Sequence, residues 1–386
     1  MPSVPEETAS DDRWSALDGS ERLVAVEVLR HGPLPRAELA KRLGLSPPSL
    51  TRLTRPLIDS QMLVEGVTEA HRRTGRPSLP LDVRPDARRF IGVKLTGDEL
   101  FAVVTDLRAT VLREVERPLP GRAPAQVIGA VAEVVTTLRE THPDVTALGI
   151  TLGGFVTGHR HVAGAYFLGW TDVPLADEVA AASGLPTVAE NDVRALTAAE
   201  HWFGAGRGCR SFAMVTIGAG IGTGFVVHDR VIEGHHGASG AITHRSIGGS
   251  AVCEQGHRGC ASALLSSYHL TADMSRAIGS PVTYPELLEL AGSGHPAARR
   301  IVGDAGHALG LLVTDIVNFL DPEVVFLSGE GVGLVEHARP QLEATIAEYR
   351  VHDSPPVRVE VLDRPFSQWA RGAAAVAIQS YVTGRV

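Results

Sequence analysis

Residues 36–60, RAELAKRLGLSPPSLTRLTRPLIDS, carry the clearest chemistry in this 386-residue chain. Ala37, Leu39, Ala40 and Leu43 recur at helical spacing and predict a short amphipathic helix. Gly44 supplies a tight turn, where positive φ costs a glycine least, and Leu45 plugs the gap that follows. Ser46 is placed to cap a second helix and Pro47 to fill its first position, where a missing N–H does no harm. Leu50, Leu53 and Leu57 make one apolar stripe on that helix, leaving Ser49, Thr51, Arg52 and Arg55 mostly on other faces, within reach of bases or phosphates. Helix, turn and capped helix in this order predict a helix-turn-helix, whose second helix enters the major groove of double-stranded DNA. The expected contacts come from Arg36, Ser46, Pro47, Ser49, Thr51, Arg52 and Arg55.

The surrounding sequence supplies what such a reader needs. A helix over residues 21–30, with Leu23, Val24, Val26, Val28 and Leu29, completes a three-helix core. Met62, Leu63 and Val64, then Leu79, Leu81 and Val83, predict two short strands around a polar tip, and so a wing. The tip holds Arg72, Arg73 and Arg76, suited to phosphate or minor-groove contact. Residues 19–84 carry eleven Lys/Arg against seven Asp/Glu, a local +4 on a chain of net charge −8. A basic head on an acidic chain is the electrostatic footprint of a DNA reader.

Residues 1–18 are acidic and lack an apolar core, which predicts a disordered tail rather than a signal peptide. No apolar run approaches the roughly 18 residues of a membrane span, so a soluble, cytoplasmic protein is expected. Three cysteines make a poor disulfide framework in a chain this long, and the pair Cys253 and Cys260 points to metal or structure instead.

From Phe90 the pattern is strand, polar turn, strand (FIGVKL, TGDE, LFAVVTDL), then a third strand, VLREVERPL. From Phe212 it recurs as FAMVTI, GAGIG and TGFVVHD, which suggests a duplicated core. Between the two lie predicted helices over 125–141, 175–183 and 192–203, with strands over 147–152 and 186–189. A long helix over 297–320, a buried strand over 324–327 and a final helix over 369–382 follow. Alternating strands and helices of this kind predict a two-lobed α/β body.

The ordered motifs of this body resemble the ROK family (repressors, open reading frames and kinases), within the sugar-kinase/actin-like, ribonuclease H-like fold. The resemblance rests on Ala189-Glu190-Asn191-Asp192, the glycine-rich run from Thr216 to Gly224, Gly256-His257-Arg258-Gly259-Cys260, the run from Asp321 to Gly329, and Gly75-Arg76-Pro77 in the head. It implies a tail over 1–18, a winged helix-turn-helix domain over 19–84 and a body over 85–386. Its first lobe would run over about 85–200 plus 369–386, and its second over about 201–368.

The departures from that pattern bear on function. Family kinases carry an Asp and a Gly-Gly-Thr turn in the first hairpin, where Lys94 and Thr96-Gly97-Asp98 stand here. The resemblance makes Asp192 a relic general base; a helix cap is the structural alternative, and both can hold. Two family glutamates that accept sugar hydroxyls are replaced by Ala241 and Ser262, a loss of about 1.5–3 kcal/mol for each charge-assisted bond. The remaining candidates for an effector are Gly153, Gly154, Asn191, Asp192 and His244. The family zinc pattern aligns His244, Cys253 and Cys260, but a middle cysteine is Gln255, so the fourth ligand is open among Gln255, His257 and water, and a metal-free loop is the alternative. The expectation is a DNA-binding regulator, a repressor, forming a homodimer or homotetramer. It would respond to a small molecule such as a sugar or sugar phosphate, with no functional ATP site and no kinase activity.

Overall fold

The computed structural model describes residues 17–66, 79–351 and 355–384. The chain opens with α1 (Gly19–His31), β1 (Leu34–Pro35), α2 (Arg36–Leu43), α3 (Pro47–Asp59), β2 (Leu63–Glu65) and β3 (Pro80–Val83). Asp18 caps α1 in a capping box with Glu21. Gly44 ends α2 in the left-handed conformation at φ 64°, and Ser46 caps α3, accepting from the Ser49 N–H at 3.3 Å. Val24, Val28, Leu29, Leu39, Leu50 and Leu57 form the small core, while Leu23, expected inside, is 63 % exposed. The three strands order as β1-β3-β2; the two-residue β1 is too short to show a strand period in the sequence.

The first body sheet is built from β4 (Arg89–Leu95), β5 (Glu99–Thr105), β6 (Val111–Pro118), β7 (Val145–Leu152) and β11 (Thr187–Asn191), in the order β11-β7-β4-β5-β6. Between them run α4 (Pro124–Thr141), the small sheet β8 (Phe155–Thr157), β9 (His161–Ala165) and β10 (Trp170–Val173), and α5 (Leu175–Ser183). α6 (Asp192–Phe203) follows β11 directly. β11 reaches two residues beyond the strand expected over 186–189, because pairing with β7 continues through Asn191↔Leu152.

The second sheet repeats the first. β12 (Phe212–Ile217) and β13 (Ile221–Val227) form a hairpin edged by β14 (Arg230–Val231). After α7 (Ala261–Leu265), α8 (Ser267–Ile278), α9 (Tyr284–Gly292) and α10 (Pro296–Leu320) come β15 (Val324–Ser328), α11 (Leu334–Tyr349) and β16 (Arg358–Val361), giving β14-β13-β12-β15-β16. In both sheets the opening strand pairs antiparallel with the next and parallel with the strand after the helical insertion. α12 (Phe366–Thr383) ends the described chain.

The chain divides into two compact units. One holds the described residues up to Gly208 and from Phe366 onward, and the other is Cys209–Pro365. These divisions, after Gly208 and after Pro365, differ from the expected ones after 200 and 368. All of α6 with its trailing loop, and all of α12, pack with the first sheet, and the head belongs to this unit, with α1 against α6 and α12. In the first unit Ile91, Val93 and Leu95 of β4 face a core shared with α4 and α5. The alternate residues Phe90, Gly92 and Lys94 face α12, as the two-residue period of a strand requires.

That second face is a close backbone contact. A Cβ at Gly92 would meet the Ala374 N at 2.5 Å, and one at Gly149 of β7 would lie well inside the radius of the Ala373 carbonyl oxygen. Gly149→Ala should therefore push α12 off the sheet and destabilise the protein by about 1–3 kcal/mol, read as a lower denaturation midpoint in chemical unfolding.

Candidate functional site

On α3, Arg52 is exposed and has no recorded partner among the described residues. Thr51 is exposed and its hydroxyl donates to the Pro47 carbonyl at 3.0 Å, while Arg55 is exposed with Asp59 3.8 Å away. Ser46 and Ser49 are 2.9 Å apart at the start of the helix, beside exposed Pro47. These side chains lie within the first three turns of α3, the N-terminal part through which a recognition helix meets base edges. Arg36 does not join them. Its guanidinium donates to Thr54 Oγ1 at 2.8 Å and to Glu65 at 2.6 Å, tying α2 to α3 and to β2. The buried stripe of α3 is accordingly Leu50, Thr54 and Leu57, with Leu53 half-buried. A threonine among leucines gave no sequence signal, because its hydroxyl is satisfied by an arginine from another element. Arg72, Arg73 and Arg76 lie outside the described residues.

At the carboxyl ends of β4, β7 and β11, where open α/β sheets bind ligands, the first unit gathers Lys94, Gly153, Gly154, Asn191 and Asp192. The Lys94 ammonium donates to Asp192 Oδ2 in a buried ion pair, with Lys94 5 % and Asp192 9 % exposed. The ammonium also lies 5.4 Å from the centre of the Trp369 ring, a cation–π contact from α12. Asn191, not Asp192, is the cap of α6: its Oδ1 accepts from the N–H groups of Val193 and Arg194 at 3.0 and 3.1 Å. Its Nδ2 donates to the Gly154 carbonyl at 3.0 Å, so both ends of this amide are used within the fold. Asp192 occupies the first helical position, with Oδ1 on the Val193 N–H at 2.9 Å. The Phe167 ring, 43 % exposed, stands over Gly153, a neighbour the sequence did not single out. Below this end, Arg194 donates to Glu190 and to the Val156 carbonyl, and fixes the first turn of α6.

The second unit holds two further sites. His244 Nδ1 is 3.6 Å from Cys253 Sγ and 3.8 Å from Cys260 Sγ, and His257 Nδ1 is 3.6 Å from Cys253 Sγ. Ligand atoms at zinc bond lengths of ~2.0–2.3 Å in a tetrahedron stand roughly 3.3–3.8 Å apart, so the spacings of His244, Cys253 and His257 suit that ion, with Cys260 placed beside His244. A turn brings His257 in, with the Cys253 N–H on the His257 carbonyl at 3.0 Å. Gln255, between Cys253 and His257 in the sequence, is exposed. His244, Cys253 and His257 bring their ligand atoms within 4.8 Å of one another, so His257 lies close enough to share an ion with this pair. Burial pushes the Cys260 thiol up from its ordinary value. In the glycine turn after β12, the Ala219 N–H donates to Glu330 Oε1 at 2.7 Å, and this carboxylate fills the space above Gly218. A backbone N–H in such a turn suits a phosphate; here the Ala219 N–H holds the chain's own anion. The sequence signal was available in Ser328-Gly329-Glu330-Gly331, where an acid interrupts the glycines.

A sequence profile described as the ROK family matches residues 90–380, three-quarters of the chain. The chain belongs to the ROK family. It is 23 % identical over 313 residues to the xylose repressor of Bacillus subtilis, covering 80 % of this chain and 81 % of that one. It is 28 % identical over 260 residues to the glucokinase of Streptomyces coelicolor, covering 62 % of this chain and 81 % of that one. Among solved structures, a ROK family transcriptional regulator described as a homologue of the Escherichia coli Mlc protein superposes with a TM-score of 0.81 at 24 % identity. That match covers 95 % of this chain and 98 % of the other. Both repressors and kinases are therefore relatives, and the regulator matches extend over more of this chain than the kinase match does.

The placement of Arg36 separates structure from reading. Arg36→Ala should destabilise the head by about 1–2 kcal/mol through its lost hydrogen bonds, whereas Arg52→Ala should leave the denaturation midpoint unchanged.

Proposed function

We propose that this protein is a DNA-binding transcriptional repressor of the ROK family, working in the cytoplasm as a homodimer or dimer of dimers on a palindromic operator. Its body senses a small molecule, a sugar or sugar phosphate, without phosphorylating it. The observation that carries this reading is the capped helix α3, which presents Thr51, Arg52 and Arg55 outward, with Arg52 unpartnered among the described residues. Two-fold assembly would set two such helices one DNA turn apart, and a ligand that shifts the body would change that spacing.

Two features favour sensing over phosphoryl transfer. A general base must be free to take a proton from its substrate, and Asp192 is instead held by Lys94. A nucleotide phosphate needs free N–H groups, and the turn after β12 gives the Ala219 N–H to Glu330. A zinc ion held by His244, Cys253, His257 and Cys260 would serve structure, tying together the loop that precedes α7. No helix among the described residues is long and apolar enough to cross a membrane.

Genomic fragments recovered with the purified full-length protein supply the DNA. Arg52→Ala should weaken specific binding by about 1–3 kcal/mol, tenfold or more, with the fold intact; unchanged affinity would overturn the reading face. A coupled ATP–glucose assay should give no turnover above background, and clear turnover would favour the kinase. Metal analysis should find one zinc per chain that is lost in Cys260→Ser and weakened by His257→Ala, while Gln255→Ala retains it.

A further inference from the structure

α6 is buried along most of its length, and its charged side chains cluster at its two ends. At the start, Asp192 is bound by Lys94. At the other end, nine to ten residues on and about 14 Å away at ~1.5 Å per residue, the helix meets the DNA-binding head. The Arg30 guanidinium of α1 donates to His201 Nε2 at 2.9 Å, with its carbon 6.0 Å from the Trp202 ring centre. The loop after α6 then closes over the end of α1. Arg207 donates from Nε to the Arg30 carbonyl at 2.6 Å and from Nη2 to the Gly32 carbonyl at 2.9 Å. These carbonyls belong to the last turn of α1 and its cap, where backbone acceptors lack helical partners.

The loop that carries Arg207 is itself fixed to α6. Fully buried Glu200 accepts from the Ala205 N–H at 2.7 Å, and Arg371 of α12 donates to the Phe203 carbonyl at 3.0 Å. A second strut joins Asp82 of β3 to Arg108 in the turn after β5. α1 in turn packs on α2 and α3, so the place of α1 sets the place of the reading helix.

We propose that Arg30, His201, Trp202 and Arg207 form a joint that positions the DNA-reading head, and that α6 transmits the state of the Lys94–Asp192 pair to it. Lys94 and Asp192 mark the ligand end of this device and Arg207 its output end. A ligand that draws Asp192 from Lys94 moves the first turn of α6, and the buried helix carries the displacement to Arg30. This inference rests on the regulator reading above, since a joint that positions the head matters only if the head reads DNA.

Hydrogen–deuterium exchange on the full-length protein tests it, with Lys94→Ala as the perturbation. If a lone buried Asp192 unfolds that variant, Lys94→Met combined with Asp192→Asn removes the pair without leaving a charge. The expected result is exchange about tenfold faster in residues 28–35, far from the substitution, as local opening free energy falls there. With Arg207→Ala already present, the same perturbation should add nothing at 28–35, because the joint is already open. A purely structural role for Arg207 would let the two effects add. Exchange at 28–35 that is unchanged in a folded variant, or additive effects, would overturn the proposal. Loss of DNA specificity in Arg52→Ala is scored separately, so a failure of the regulator reading stays distinguishable from a failure of the joint.

Discussion

A buried ion pair with one partner on a strand and the other on the helix beside it organises the first unit. Lys94 reaches the carboxyl end of β4 under the Trp369 ring and meets Asp192 at the start of α6. Removing one member of such a pair typically costs about 3–5 kcal/mol, because the other charge is left buried without a counter-charge. The pair therefore constrains β4, α6 and α12 together. It also fixes the chemistry of the site. The Asp192 carboxylate is paired with an ammonium of its own chain.

The second unit answers the same constraint in its own way. Its β12–β13 turn keeps the glycines of a phosphate cradle, and Glu330 enters from the loop after β15 to take the Ala219 N–H. The Glu330 carboxylate satisfies the Ala219 N–H without any ligand. Each unit thus uses a side chain of its own at the end of its opening hairpin, Lys94 on Asp192 in one and Glu330 on the Ala219 N–H in the other. Repeated sheet topology explains why both positions exist: each opening hairpin is the same construction, with its turn at the carboxyl end of the sheet's first strand.

The fold was largely legible in the sequence because its elements obey strong local rules. Helices α5 and α6 are seen where apolar spacing placed them, and the Gly44 turn and Ser46 cap behave as backbone chemistry demands. Errors fell where a polar side chain is satisfied by a residue distant in sequence. Thr54 is buried because Arg36, eighteen positions away, bonds it, and the same bond removes Arg36 from the reading face. Asn191, read from the sequence as an effector residue, also bonds Gly154 and the start of α6 with the two ends of its amide. Local spacing does reveal the cysteine pair, but only the turn that folds His257 onto Cys253 shows that this imidazole lies beside it. No periodicity encodes such pairings, since each depends on which elements the topology brings side by side.

The interior of α6 explains how its two ends stay mechanically linked. Ala195, Leu196, Thr197, Ala198 and Ala199 are all nearly inaccessible, and a Cβ on Gly372 of α12 would stand 3.1 Å from the Ala195–Leu196 backbone. A helix packed this closely on a neighbouring backbone has no room to bend, because interiors at crystal-like density accommodate strain poorly. Melting it would strand Asp192, Arg194 and Glu200 away from their partners in a dry environment, a larger cost than sliding or tilting the helix as a body. Displacement at Asp192 is therefore more cheaply relieved at the far end than absorbed in the middle. At that far end the contacts are ones that can be re-formed after a small shift: a guanidinium over a ring, and two hydrogen bonds from Arg207 to backbone carbonyls. The stiffness of the helix and the adaptability of the joint are both consequences of which side chains are charged and which are small.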